Sequence, residues 1–103
     1  MWHKVCELSS LNNDELRLFE IDDEAVLLVK SSDDVYAFEN QCSHMDKSLI
    51  KGKWNPERCE ILCVFHKAIF DVKQKGKVIQ GPATSPIKTY EVKVEQGSVF
   101  VDV

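Results

Sequence analysis

The sequence predicts an all-β fold, on three observations. Short segments alternate apolar and polar residues. Turn-forming pairs such as Asp22-Asp23 and Gln96-Gly97 separate them, and the only helical stretch is a weak one near Asn12 to Leu16. The chain has 103 residues, 44% hydrophobic and 29% charged. That suffices for one domain with a modest core, is too short for two, and is unlike a disordered segment.

Trp2 to Cys6 reads as the first strand. Glu15 to Ile21 reads as the second, with Leu16, Leu18 and Phe19 turned inward. Glu24 to Lys30 carries Ala-Val-Leu-Leu-Val and pairs with the second strand across Asp22-Asp23 as a hairpin. After the turn Ser31-Ser32-Asp33-Asp34, Val35 to Phe38 forms a third strand with Tyr36 and Phe38 on one face. Near the other end, Thr89 to Glu95 alternates, with Tyr90, Val92 and Val94 on one side. Gln96-Gly97 turns the chain, and Val99, Val101 and Val103 alternate in a final strand. Between these flanks the pattern breaks into Glu60 to Cys63, Ala68 to Val72 and Lys77 to Ile79. Loops with Gly52, Pro56, Gly76, Gly81, Pro82 and Pro86 separate or border them. Residues 41–84 therefore read as a loop-rich module inserted into a β base formed by 1–40 and 85–103.

Thirteen basic and seventeen acidic residues give a formal net charge of −4, which argues against nucleic acid as the main partner. The charge is uneven. Residues 41–84 hold eight basic and four acidic side chains, a net of +4, and the remainder carries −8. This is either an unevenly charged solvated surface or a basic module that meets an acidic partner. The longest apolar runs, Ala25 to Val29 and Ile61 to Phe65, have five residues, so no membrane-spanning helix is expected. Met1-Trp2-His3-Lys4 lacks the apolar region of a secretory signal, so the expected compartment is the cytoplasm, where thiols stay reduced.

Four cysteines then need roles other than disulfides: Cys6, Cys42, Cys59 and Cys63. Two of them fall in ordered boxes. Cys42-Ser43-His44 is followed, after eighteen residues, by Cys63-Val64-Phe65-His66. Each box offers one thiolate and one imidazole, and two such loops facing each other would supply two sulfur and two nitrogen ligands. A structural zinc site is one candidate, although common zinc modules pair Cys with Cys and His with His. A [2Fe–2S] cluster is the other, with both cysteines on one iron and both histidines on the second. A mixed box suits that arrangement, because each loop straddles the cluster.

These two boxes resemble the Rieske cluster motif, and the chain as a whole resembles the small Rieske-type ferredoxins of bacterial aromatic-ring dioxygenase systems. The resemblance implies a single Rieske domain over 1–103 that carries one [2Fe–2S] cluster. Cys42 and Cys63 would bind the inner iron, and His44 and His66 the outer iron near an exposed tip. Gly81-Pro82-Ala83 would form a third loop over the cluster, with Leu49 and Phe70 packed around it. Lys67 departs from the pattern, since many relatives have glycine directly after the second histidine. High-potential Rieske proteins carry a disulfide cysteine in each loop, where this chain has Lys47 and Phe65. They also carry Ser and Tyr hydroxyls where it has Ala68 and Phe70. Hydrogen bonds to the cluster sulfurs stabilise the reduced form, so their loss implies a low potential.

The implied role is a soluble, monomeric one-electron carrier and not an enzyme. It would take an electron from a flavoprotein reductase and pass it to a terminal Rieske oxygenase. Lys47, Lys51, Lys53 and Lys67 would steer the tip to an acidic depression, with Met45 and Pro82 as apolar contacts. The alternatives are the small Rieske-like subunit of an assimilatory nitrite reductase and a structural zinc module. Cys6 and Cys59 read as structural thiols, His3 as a solvated terminal residue and Trp54 as a packing residue. Asp71 reads as a hydrogen-bonding surface residue. No nucleophile–base pair and no phosphate-binding glycine loop is evident.

Overall fold

The structure is a computed structural model that describes residues 1–32, 34–41, 48–64, 67–81 and 85–103. Among these, eleven strands form three antiparallel sheets. The first contains β1 (Trp2–Glu7), β10 (Val92–Glu95) and β11 (Ser98–Asp102), in the order β1-β11-β10. The second contains β2 (Arg17–Ile21), β3 (Glu24–Ser31), β4 (Asp34–Glu39) and β9 (Thr89–Tyr90), in the order β2-β3-β4-β9. The third runs β5 (Lys53–Asn55), β6 (Glu60–Leu62), β7 (Ile69–Asp71) and β8 (Lys77–Gln80) in sequence order. The three short pieces read from the middle stretch are strands β6, β7 and β8, and β5 joins them to make a four-stranded meander. No helix among the described residues is long and apolar enough to cross a membrane.

Tight turns fix the hairpin registers. Asp22 and Asp23 both take positive φ (49° and 66°), as do Gln96 and Gly97 (50° and 77°). Two such residues make a primed turn whose twist matches the strands, and Asn, Asp and Gly tolerate it best. The pairs Ile21↔Glu24 and Glu95↔Ser98 close them.

The run Val26 to Val29 does not alternate because β3 is buried on both faces. Leu27 and Val29 face one core with Phe38, Leu49, Ile61, Cys63, Ala68, Phe70 and Ile87. Val26 and Leu28 face a second core with Ala37, Val99 and Val101. The second sheet is therefore the middle layer of three. Each fully buried Leu, Val or Phe contributes roughly 1.5–3 kcal/mol of transfer free energy.

Four expectations need correction. Leu18 is 46% exposed and Val94 41% exposed, although both lie on core-facing sides. Each sits on an edge strand (β2 or β10), where the neighbouring layer stops short. Thr89 to Glu95 is not one strand: it breaks at Glu91, passing from pairing with β4 to pairing with β11. No helix forms at Asn12 to Leu16. Asp14 has φ 61° and spends its N–H on the Lys30 carbonyl at 2.7 Å; the short 3-10 turn lies earlier, at Leu8–Ser10. Asp71 is buried and not at the surface. Its carboxylate accepts from the Lys73 N–H at 2.9 Å and the Gln74 amide at 2.8 Å, capping the turn Val72–Gln74.

Candidate metal centre

The second ligand box begins where β6 ends. Along this strand Cys59, Ile61 and Cys63 are buried while Glu60 and Leu62 are partly exposed, the period-two pattern of one inward face. Cys63 thus enters the core that holds Leu49, Ala68 and Phe70, an apolar setting that keeps water from its sulfur. Its backbone closes the loop that follows. The Cys63 N–H donates to the Ala68 carbonyl at 2.8 Å, and the Cys63 carbonyl accepts from the Lys67 N–H at 2.6 Å. Lys67 takes φ 61°, the left-handed region that favours glycine. A lysine thus occupies a backbone conformation suited to glycine, and its side chain is exposed. Phe65 and His66 lie outside the described residues.

The first box leaves the end of β4. Cys42, His44, Met45 and Lys47 lie outside the described residues, but the two ends of their loop are defined. The Asn40 side-chain oxygen accepts from the Ile50 N–H at 2.9 Å. Between them the chain has already returned to the core at Leu49, which is fully buried beside Cys63 in the same cluster. The Gly52 N–H then turns back to the Leu49 carbonyl at 2.8 Å. A Cβ at Gly52 would collide with the Leu62 carbonyl oxygen, so the close approach of this loop to β6, one residue before Cys63, requires glycine. The third loop starts at Gly81; Pro82 and Ala83 are outside the described residues. Just before it, the Gln80 amide donates to the Lys67 carbonyl at 2.8 Å. The described flanks of all three loops are thereby tied together near Cys63.

The two cysteines outside the boxes are placed apart from Cys63. Cys59 lies just before β6, and the three strand residues Glu60–Leu62 set its Cα about 13 Å from that of Cys63. Its buried thiol points toward the Tyr36 hydroxyl at 3.7 Å and the Pro56 carbonyl at 3.8 Å. Cys6 packs against the second core, and burial raises its pKa. Trp54 packs on Tyr36, with ring centroids 6.1 Å apart, and donates to Asp14 at 3.1 Å. His3 is not simply solvated: it is half-buried, with Nε2 3.1 Å from the Asp22 carboxylate. Asn40, Gly52 and Gln80, which border these loops, carry no signal in the sequence, because amides and glycines have no ligand chemistry. Only their contacts reveal them.

A family model described as the Rieske [2Fe-2S] domain matches residues 1–91. The chain belongs to the Rieske [2Fe-2S] domain family. The ferredoxin component of biphenyl 2,3-dioxygenase from Rhodococcus jostii is 33% identical, over 96% of this chain and 90% of its own length. Among solved structures, the ferredoxin of carbazole 1,9a-dioxygenase from Nocardioides aromaticivorans superimposes with a TM-score of 0.91 at 32% identity, covering 98% of this chain and 96% of that one. A chain in the complex of reduced oxygenase and oxidised ferredoxin of carbazole 1,9a-dioxygenase matches with a TM-score of 0.85 at 31% identity, covering 97% of this chain and 91% of that one. The fold is thus that of the Rieske domain. One Rieske [2Fe–2S] cluster is its cofactor, and a donor set of thiols and imidazoles with one thiol in a dry apolar core fits that group.

Proposed function

We infer that this Rieske domain is the one-electron carrier of an aromatic-ring dioxygenase system, with Cys42 and Cys63 binding one iron and His44 and His66 the other. The observation that carries the role is the whole-length likeness to dioxygenase ferredoxins. It favours a carrier over a nitrite reductase subunit or a zinc module. The ligand assignment is supported by the two mixed boxes, by the burial of Cys63 and by the distance of Cys59 from it.

When bound, the cluster supplies a site that takes up and returns one electron. The chain contributes the surroundings. Leu49, Ala68 and Phe70 keep the Cys63 side dry, and none of them offers a hydroxyl. Exposed Lys51, Lys53 and Lys67 give the module the positive charge that would meet an acidic depression on a terminal oxygenase, such as the one paired with a ferredoxin in the carbazole system. A flavin-dependent reductase would be the electron donor, and a reducing cytoplasm would keep the thiolates available.

The test is EPR of the dithionite-reduced protein, where mixed Cys/His ligation gives a low average g value. His44→Ala and His66→Ala should abolish that signal, and Cys59→Ser should leave it intact. Loss of the cluster on replacing Cys59 alone would overturn the ligand assignment, and a colourless zinc-loaded protein would overturn the carrier reading.

A further inference from the structure

Two side-chain amides outside the ligand boxes hold the ends of the ligand loops, with opposite hydrogen-bond polarity. Asn40 stands two residues before Cys42, and its oxygen accepts from the Ile50 N–H across the base of the first loop, at 2.9 Å. Gln80 stands on β8, and its nitrogen donates to the Lys67 carbonyl, one residue after His66, at 2.8 Å. The assignment of oxygen and nitrogen is fixed in both cases, because a backbone N–H only donates and a carbonyl only accepts.

Neither contact is replaced by the surrounding ladder. Residues 48–52 lie outside every strand, so the Ile50 N–H has no sheet partner. Lys67 lies between β6 and β7, and its left-handed backbone turns its carbonyl toward β8. The Asn40 backbone is itself anchored, since its N–H donates to the Ala25 carbonyl at 3.0 Å. The amide therefore ties the first loop to the middle sheet, while Gln80 ties the second loop to the edge strand that leads into the third.

We propose that Asn40 and Gln80 are positioning residues for the cluster: Asn40 closes the Cys42/His44 loop as an acceptor, and Gln80 holds the Cys63/His66 loop as a donor. This rests on the ligand assignment above and goes beyond it, since neither residue touches the metal. Loops held at both ends keep their thiolate and imidazole aimed, so the cluster is released slowly and its electronic environment is uniform.

The polarity supplies the test. Asn40→Asp retains an acceptor oxygen for the Ile50 N–H and should behave as wild type, whereas Asn40→Ala removes it. Gln80→Glu makes the same amide-to-acid change but removes a donor and sets a carboxylate against a carbonyl. The measurements are the bleaching rate of the reconstituted protein under an iron chelator and the EPR line widths after dithionite reduction. Asn40→Ala and Gln80→Glu should bleach about fivefold faster, the effect of losing one net hydrogen bond, with broadened lines, and Asn40→Asp should do neither. Gln80 is exposed, so Gln80→Glu tests the idea even where Asn40→Ala folds poorly. Equal bleaching and line shape in Gln80→Glu and wild type would overturn the proposal. So would similar acceleration in Asn40→Asp and Gln80→Glu, which would point to added charge and not to polarity. Cys42→Ser and Cys63→Ser serve as controls: retention of a wild-type cluster by either would instead overturn the ligand assignment.

Discussion

Gly52→Ala tests the close contact between the first loop and β6. An alanine Cβ would collide with the Leu62 carbonyl oxygen, lie 2.9 Å from the Leu49 carbonyl oxygen and 3.2 Å from Ile61 Cδ1. Only the Ile61 methyl can swing away. Leu62 is paired on both sides, with Lys53 and Ile69, and the Leu49 oxygen is held by the Gly52 N–H. Alanine restricts the unfolded chain and so returns about 0.4–1 kcal/mol. Overpacking against fixed backbone costs about 1–3 kcal/mol. The central difference is a destabilisation of about 1.3 kcal/mol, which lowers the unfolding midpoint of a domain this size by roughly 5–10 °C. The displaced carbonyl belongs to the residue before Cys63, so the visible absorption band should also fade before the far-UV signal is lost. Circular dichroism and visible absorbance followed through one thermal ramp read both. Gly97→Ala is the comparison: its φ is 77° with nothing within 4 Å, so it costs backbone strain alone and should leave the band unchanged. A Gly52→Ala midpoint within about 2 °C of wild type, with the band intact, would refute the reasoning.

Three other outcomes are expected. With buried Ala68 and Phe70 offering no hydroxyl, the reduction potential should lie near the low end of the Rieske range, roughly −150 mV, and Ala68→Ser should raise it; a wild-type value well above zero by protein-film voltammetry would contradict this. Both of the protein's tyrosines should ionise above the usual range, since burial, then the Cys59 thiol, pushes Tyr36 up, and burial, then Glu24, pushes Tyr90 up. The folded state then keeps protons that the unfolded chain has lost, so this stability is complete below the ordinary value of 10.0 and is lost as pH rises through the folded values. A tyrosinate absorbance titration with full amplitude at the ordinary value, in folded protein, would sink it. Electron transfer to an oxygenase partner should slow as salt shortens the Debye length, about 10 Å at 0.1 M, and slow further in Lys67→Glu with an unchanged cluster spectrum. Rates indifferent to both would show that the lysines do not steer.

The parts of the fold written in local chemistry were legible in the sequence. Paired turn residues announced the β2–β3 and β10–β11 hairpins, because a primed turn needs particular residues at its two central positions. What periodicity reports is the face of a strand, not the depth of the layer over it. Leu18 and Val94 show the gap: each points to a core face, and each lies where that layer ends. The strand Lys53–Asn55 was invisible, since three residues of Lys-Trp-Asn carry no alternation and pair only because Ile61 and its neighbours are alongside. Asp71 was misplaced for a related reason. Its capping partners, the Lys73 N–H and the Gln74 amide, are created by the turn itself, and they are what make a buried carboxylate tolerable.

The site divides along the same line. The proposed ligand boxes stand out because a metal dictates residue type and spacing within one loop, so Cys42, His44, Cys63 and His66 carry that signal without any knowledge of the fold. The residues that aim those loops are set by contacts across the chain, Asn40 to Ile50 and Gln80 to Lys67, and have no signature of their own. Lys67 sits between the two cases. Its φ of 61° is a place for glycine, and an L residue there costs on the order of 1 kcal/mol. The lysine nevertheless adopts it, held by the Cys63 carbonyl on one side and the Gln80 amide on the other. Left-handed backbone is not confined to this position, since Lys75 (56°), Cys59 (53°) and Gln96 (50°) adopt it too, so the strain alone assigns Lys67 no role. Its side chain is exposed and sets a positive charge next in sequence to a proposed iron ligand, in a module already net positive. Lys67→Glu at graded salt separates a charge that steers docking from one that only confers solubility.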